Sequence, residues 1–201
     1  MKFLIFFYCI IFLFLSCTST KDNFSENNKS ALEVQFADSL SNDLCKIYGL
    51  DQGVRHLPDF ERKTETIHLV DSVNFNKIIT FIKNNGYPSA KKLGDNYKKF
   101  ECVELSATSI LLHNPKRIIE NKDNFNLLVT EFKKGNLSER NLLNFFDKYY
   151  WLRKDSLGNR KLVYGSDFGK PCLKYKEISD KLRIEIGLKP LNDSLFNKNC
   201  N

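Results

Sequence analysis

Apolar residues recur every three or four positions along most of this chain. Leu32, Phe36, Leu40, Leu44 and Ile47 form one stripe, which predicts a helix from about Leu32 to Tyr48 with Gly49 as its stop. Phe75, Ile78, Ile79 and Ile82 form a second, ended by Asn84-Asn85-Gly86 with Pro88 just beyond. Gly94-Asp95 reads as a start, with Asp95 as N-cap. The helix it opens carries Phe100, Val103, Ala107, Ile110 and Leu111 on one face and ends near His113-Asn114-Pro115. A short helix over Phe125 to Phe132 closes at Gly135. Ser138 caps the next, which buries Leu142, Leu143, Phe145, Phe146 and Tyr149. The last runs from about Tyr175 to Ile186 and stops at Gly187, with Pro190 beyond.

The period changes once. Tyr149 to Arg153 and Arg160 to Tyr164 flank the turn cluster Asp155-Ser156-Leu157-Gly158-Asn159, which predicts a small β-hairpin. There is no internal repeat and no sign of a second domain. The expected fold class is mainly α: a single helical domain over residues 32–201, with five to seven helices and one small hairpin.

The first forty residues have a different character. Met1-Lys2 precedes an apolar run from Phe3 to Leu15, then Ser16-Cys17. A positive end, a short apolar core and a small residue before the cut are the parts of a secretory signal. The run of about 13 residues rises only about 20 Å as a helix, short of the roughly 30 Å hydrocarbon core. Phe14-Leu15-Ser16-Cys17 resembles a lipobox, with Phe14 where an aliphatic residue is usual. Residues 1–16 are therefore read as a lipoprotein signal peptide and Cys17 as the lipidated N-terminus; the rival reading is ordinary cleavage after Ser19, with small residues at Ser19 and Cys17. Two acyl chains there would anchor the protein stably. Residues 17–31 are polar and rich in Asn and Ser, which predicts a disordered tether. Thr18 is not the Asp that holds enteric lipoproteins at the inner membrane, which favours the outer membrane of a two-membrane bacterium.

Charge adds little. The formal net charge of +7 falls to +6 when Lys2 leaves with the signal. The lysines are scattered singly or in pairs, without a dense basic block or interleaved aromatics, so nucleic acid is not an expected partner. The expected partners are the membrane, through the anchor on Cys17, and an envelope ligand or protein. Cys45, Cys102, Cys172 and Cys200 remain once Cys9 is removed and Cys17 acylated. An oxidising compartment permits disulfides, and four cysteines allow three complete pairings. The alternative is that Cys45 and Cys102 are buried thiols on helices. No cysteine pair has metal-ligand spacing, and neither a metal nor a cofactor is expected.

The polar residues that could carry chemistry are few. Asp51-Gln52-Gly53-Val54-Arg55 follows the first stripe, and Asp51 and Arg55 at i, i+4 can pair on one helix face. Asp71 and Asn74 are three apart where the second helix begins, so Asp71 reads as its N-cap. His113 ends an apolar helix, where a helix C-terminus favours a cation. His56 and His68 have no pattern around them and read as surface residues. Phosphate loops, His-Glu-x-x-His and Gly-x-Ser-x-Gly are all missing from the sequence.

Taken in order, these fragments resemble one uncharacterised bacterial domain family, a domain of unknown function common in secreted and lipid-anchored proteins. The matching pieces are Asp51-Gln52-x-x-Arg55, Asp71-x-x-Asn74, Gly86-Tyr87-Pro88 with Gly94, His113 and Tyr164-Gly165-Ser166. Leu182-Arg183 and Gly187-Leu188-Lys189-Pro190-Leu191 match the family's ending. The resemblance covers roughly Leu40 to Leu191. It departs at Leu112, where a glutamine is usual, at Ser166, where a threonine is, and at Asp147-Lys148, where an Asp-Arg pair is. The resemblance implies one polar cluster of Asp51, Gln52, Arg55, Asp71, Asn74, His113 and Tyr164. Two functions compete for such a cluster. One is a binding or interaction module with a polar pocket lined by Gln52, Asn74 and Tyr164. The other is a hydrolase-like enzyme with His113 as general base, Asp51 or Asp71 orienting it, and Arg55 holding an anionic group.

Overall fold

A computed structural model of the chain describes residues 20–200, with side chains from residue 31. Residues 1–16, read above as a signal peptide, and Cys17 lie outside the described residues. The chain divides into two compact units, one ending at Leu40 and one beginning at Ser41. Among the described residues the fold is mainly helical. Six helices have ten or more residues: α1 (Thr20–His56), α2 (Lys63–Asn85), α5 (Glu101–His113), α7 (Lys122–Lys133), α8 (Glu139–Trp151) and α9 (Lys176–Glu185). Three short ones intervene: α3 (Ala90–Leu93), α4 (Asp95–Lys99) and α6 (Pro115–Ile119). The short helices carry the count past the expected five to seven. None of the described helices is long and apolar enough to cross a membrane.

Helix α1 extends back to Thr20, so it takes in polar residues read from the sequence as a tether. Its apolar stripe is used only in part. Leu44 and Ile47 are buried, while Leu32 and Phe36 are 66% and 60% exposed. Helix α2 begins eight residues before Asp71, so Asp71 lies inside the helix and caps nothing. The expected single helix from Asp95 to His113 is broken. Phe100 adopts an extended conformation and separates α4 from α5, and Asp95 is a helical residue rather than a cap. The Ser138 cap is present, its Oγ accepting from the Asn141 N–H at 3.2 Å.

The hairpin reduces to one antiparallel bridge, Lys154 to Arg160, and the described residues contain no sheet. The reason is local. Tyr149, Tyr150 and Trp151 complete α8 instead of starting a strand. The turn itself forms as expected, because Asp155 Oδ1 accepts from the N–H groups of Leu157 and Asn159.

The core of the Ser41 unit lies where α5, α6 and α8 meet α2 and α7. Ile78 and Ile82 of α2, Ile110 and Leu111 of α5, Ile118 of α6, Leu128 of α7 and Phe145 and Phe146 of α8 are fully buried. Each such side chain contributes about 1.5–3 kcal/mol on burial. Two disulfides, Cys45–Cys102 and Cys172–Cys200, pair all four cysteines of the domain. The first ties α1 to α5.

A second fixed point explains Gly86-Tyr87-Pro88. Glu131, buried on α7, accepts from the Tyr87 N–H at 2.8 Å and the Asn136 amide at 2.8 Å, and pairs with Lys134 at 2.9 Å. Gly86 stops α2 at φ 75°, and a Cβ there would meet Glu131 Oε2 at 2.9 Å. Burial pushes the Glu131 carboxyl up, but Tyr87, Asn136 and Lys134 outweigh it and hold it below the ordinary 4.5. A carboxyl lowered in the folded state stabilises above its ordinary value, and that contribution disappears as pH falls through the folded one. Glu131→Gln is therefore expected to cost about 1–2 kcal/mol at pH 7. The gap from wild type should close below pH 4.5. Urea unfolding at pH 7 and pH 3 checks this; a gap unchanged by pH would refute it.

Candidate functional site

Five of the seven residues singled out from the sequence, Asp51, Gln52, Arg55, Asp71 and His113, are joined by direct contacts within the Ser41 unit. Asp51 is the hub. Its helix faces both α2 and the end of α5, and its side chain has no exposure. Oδ1 lies 3.1 Å from Arg55 Nη1 and 3.2 Å from His113 Nδ1, and Oδ2 accepts from Gln52 Nε2 at 2.8 Å. Arg55 extends the network. Its Nη1 also donates to the Asp51 carbonyl at 2.9 Å, and its Nη2 to Asp71 Oδ1 at 2.5 Å.

Burial falls outward. Asp71 and Arg55 side chains are 13% and 21% exposed, and that of His113 is 32% exposed. His113 is the last residue of α5. With Nδ1 donating to Asp51, the imidazole presents Nε2 as an acceptor. Among the described residues Nε2 has no hydrogen-bond partner. Asn74, one turn from Asp71 on α2, donates to the Ile47 carbonyl at 3.1 Å, one turn before Asp51 on α1. Its Oδ1 is buried without a partner.

The charges sum to minus one when His113 is neutral: two carboxylates against one guanidinium. Arg55 was expected to hold an anionic group, but both its terminal nitrogens already face carboxylates. Asp51, Asp71 and His113 also present one oxygen or ring nitrogen each within 4.8 Å of one another. Arg55 lies on both of those carboxylates, so an ion there would have to displace it.

Tyr164 does not join these residues in any contact. It is buried among Phe146 and Tyr150, with ring centroids at 5.3 and 6.0 Å. Its carbonyl accepts from Arg183 Nη1 at 2.5 Å, and Arg183 Nε donates to the Lys189 carbonyl at 2.8 Å. A Cβ on Gly165 would meet Leu191 Cδ1 at 2.8 Å. The motifs after Tyr164 thus form a clasp on the segment from Arg183 to Leu191. Asp147 completes it, accepting from the N–H groups of Val163, Tyr164 and Ser166 at 3.0–3.1 Å. Sequence reasoning missed Asp147 and Glu131 as organising residues. Acidic residues inside apolar helix faces were the available signal.

The fold and site define an all-α protein with a buried acid–arginine network that ends in a partly exposed histidine. The chain matches no known family model, no curated protein and no solved structure.

Proposed function

We propose that this is a cell-envelope lipoprotein, acylated at Cys17, whose helical domain is a binding module of the Asp-Gln-x-x-Arg family described above. The ligand sits at the His113 edge of the Asp51 network and is cationic or rich in hydrogen-bond donors. The observation that carries this reading is that two carboxylates, Asp51 and Asp71, share the single guanidinium of Arg55 beside His113. An anionic ligand would meet uncompensated carboxylate there. The pairing of Cys45 with Cys102 and Cys172 with Cys200 supports an oxidising compartment. The lipobox and the lack of Asp at position 18 support the outer membrane.

Two measurements test this. Labelled palmitate should be incorporated into the wild-type protein and not into Cys17→Ser; label on the variant removes the anchor from the proposal. Native mass spectrometry of protein purified from its own membranes should detect a small-molecule adduct. Asp51→Asn and His113→Gln should each reduce its occupancy at least tenfold, equivalent to about 1.4 kcal/mol. An adduct indifferent to both variants rules the site out.

One observation favours a second reading. The Asp51–His113 contact is the orienting half of a general-base pair, with Nε2 open to a water. In that reading His113 activates water for hydrolysis, and the adduct is turned over instead of released intact.

A further inference from the structure

A second cluster lies at the end of α8, and none of the residues considered above uses it. Lys148 Nζ lies 4.2 Å from the Trp151 ring centroid and 5.2 Å from that of Phe168. Arg160 Cζ lies 4.4 Å from the same Trp151 ring. The two rings are themselves in contact, with centroids 5.7 Å apart. Four half-buried side chains from three segments thus place two cations on one indole. Among the described residues, neither cation has a carboxylate within ion-pair reach. Arg140, Arg153 and Lys174, on neighbouring segments, each have one. Asp147 precedes Lys148, but its oxygens are spent on the clasp, and adjacent helix positions do not face each other.

The bland account is that these cations neutralise the end of α8. Arg160 Nη1 does donate to the Trp151 carbonyl at 2.7 Å. A helix C-terminus carries only about half a negative charge, however. Two full positive charges leave an excess of roughly 1.5. Burial, and then the nearby Arg160, push the Lys148 ammonium below its ordinary value, so the pair repels and is partly desolvated. An anion beside both would relieve the repulsion and restore the lost solvation. A phosphate monoester, at about −1.5 to −2 near pH 7, matches the excess. Lys148 and Arg160 already lie against the Trp151 ring, which argues for a compact oxyanion over a stacked sugar or base.

We propose that Lys148 and Arg160, held on Trp151 and Phe168, form a binding site for a phosphate group, free or on a lipid headgroup. It is separate from the Asp51 network, opposite to it in charge preference, and does not rest on the function proposed above. Trp151 is the only tryptophan of the chain, so its fluorescence reports this site directly. The full-length protein in neutral detergent is titrated with inorganic phosphate, with chloride at matched ionic strength, and with dihexanoyl phosphatidic acid. Saturable change with phosphate, weakened at least fivefold in Lys148→Gln and in Arg160→Gln, supports the site for free phosphate. Saturation with the lipid alone, with the same dependence on both residues, supports the headgroup form. Arg160→Gln also removes the contact to the Trp151 carbonyl, so circular dichroism checks its fold; Lys148→Gln carries the test by itself if that variant unfolds. No saturable change with either probe, or one that Lys148→Gln leaves intact, overturns the proposal.

Discussion

Asp147→Ala is expected to lower the melting temperature by roughly 10–15 °C. The carboxylate has no exposure and accepts from three backbone N–H groups, those of Val163, Tyr164 and Ser166. Alanine leaves three donors without an acceptor, two of them fully inside the protein. Each orphaned buried donor costs about 1–3 kcal/mol, so the loss is about 5 kcal/mol. For a domain of this size, each kcal/mol moves the midpoint by about 2–4 °C. The effect spreads beyond the loop. The Tyr164 carbonyl holds Arg183, and Arg183 holds Lys189, so the ending of the chain loosens with it. Asp147→Asn separates the causes. Its amide oxygen still serves Val163 and Tyr164, and its NH₂ faces the Ser166 N–H, so it should lose less than half as much. Burial pushes the Asp147 carboxyl above its ordinary range even with these donors against it. Calorimetry of the three proteins checks the order; an alanine variant within 2 °C of wild type would falsify the clasp.

Removing Cys45–Cys102 is expected to cost about 4 kcal/mol, from the entropy that a cross-link spanning 57 residues takes out of the unfolded chain. The pair Cys172–Cys200, spanning 28 residues, should cost slightly less. The first has the larger consequence for function. Cys45 is six residues before Asp51 on α1, and Cys102 is eleven before His113 on α5. The bond therefore fixes the two helices that bring these side chains together. Cys45→Ala/Cys102→Ala should unfold at lower urea concentration. Equal urea midpoints with and without reductant would show that the cross-link contributes nothing.

Local rules carried most of the helix assignments, although α1 runs on through the expected stop at Gly49 to His56. Stripes at three- and four-residue spacing, the Ser138 cap and the stops at Gly86 and Gly187 all describe interactions within a few residues, and all are present. Local rules failed where a longer-range partner decided. Tyr149 to Arg153 has strand-like composition, but the aromatic contacts of Tyr150 with Tyr164 and of Trp151 with Phe168 are reached from a helix. Asp71 looked like a cap because the stripe of Phe75, Ile78, Ile79 and Ile82 begins just after it. Helix α2 nevertheless begins at Lys63, and Asp71 faces Arg55.

The site divides the same way. By itself the sequence determined the helical class and singled out the polar residues Asp51, Gln52, Arg55, Asp71, Asn74 and His113. Tertiary structure alone decided which of them meet. It joined Asp51, Gln52, Arg55, Asp71 and His113 through direct contacts and sent Tyr164 into an aromatic core. It selected one cysteine pairing out of three, and among the described residues it left Lys148 and Arg160 together without an acid in ion-pair reach. The physical reason is range. Helix periodicity and capping are settled over one or two turns, whereas a hydrogen bond between residues 51 and 113 depends on how every helix between them packs.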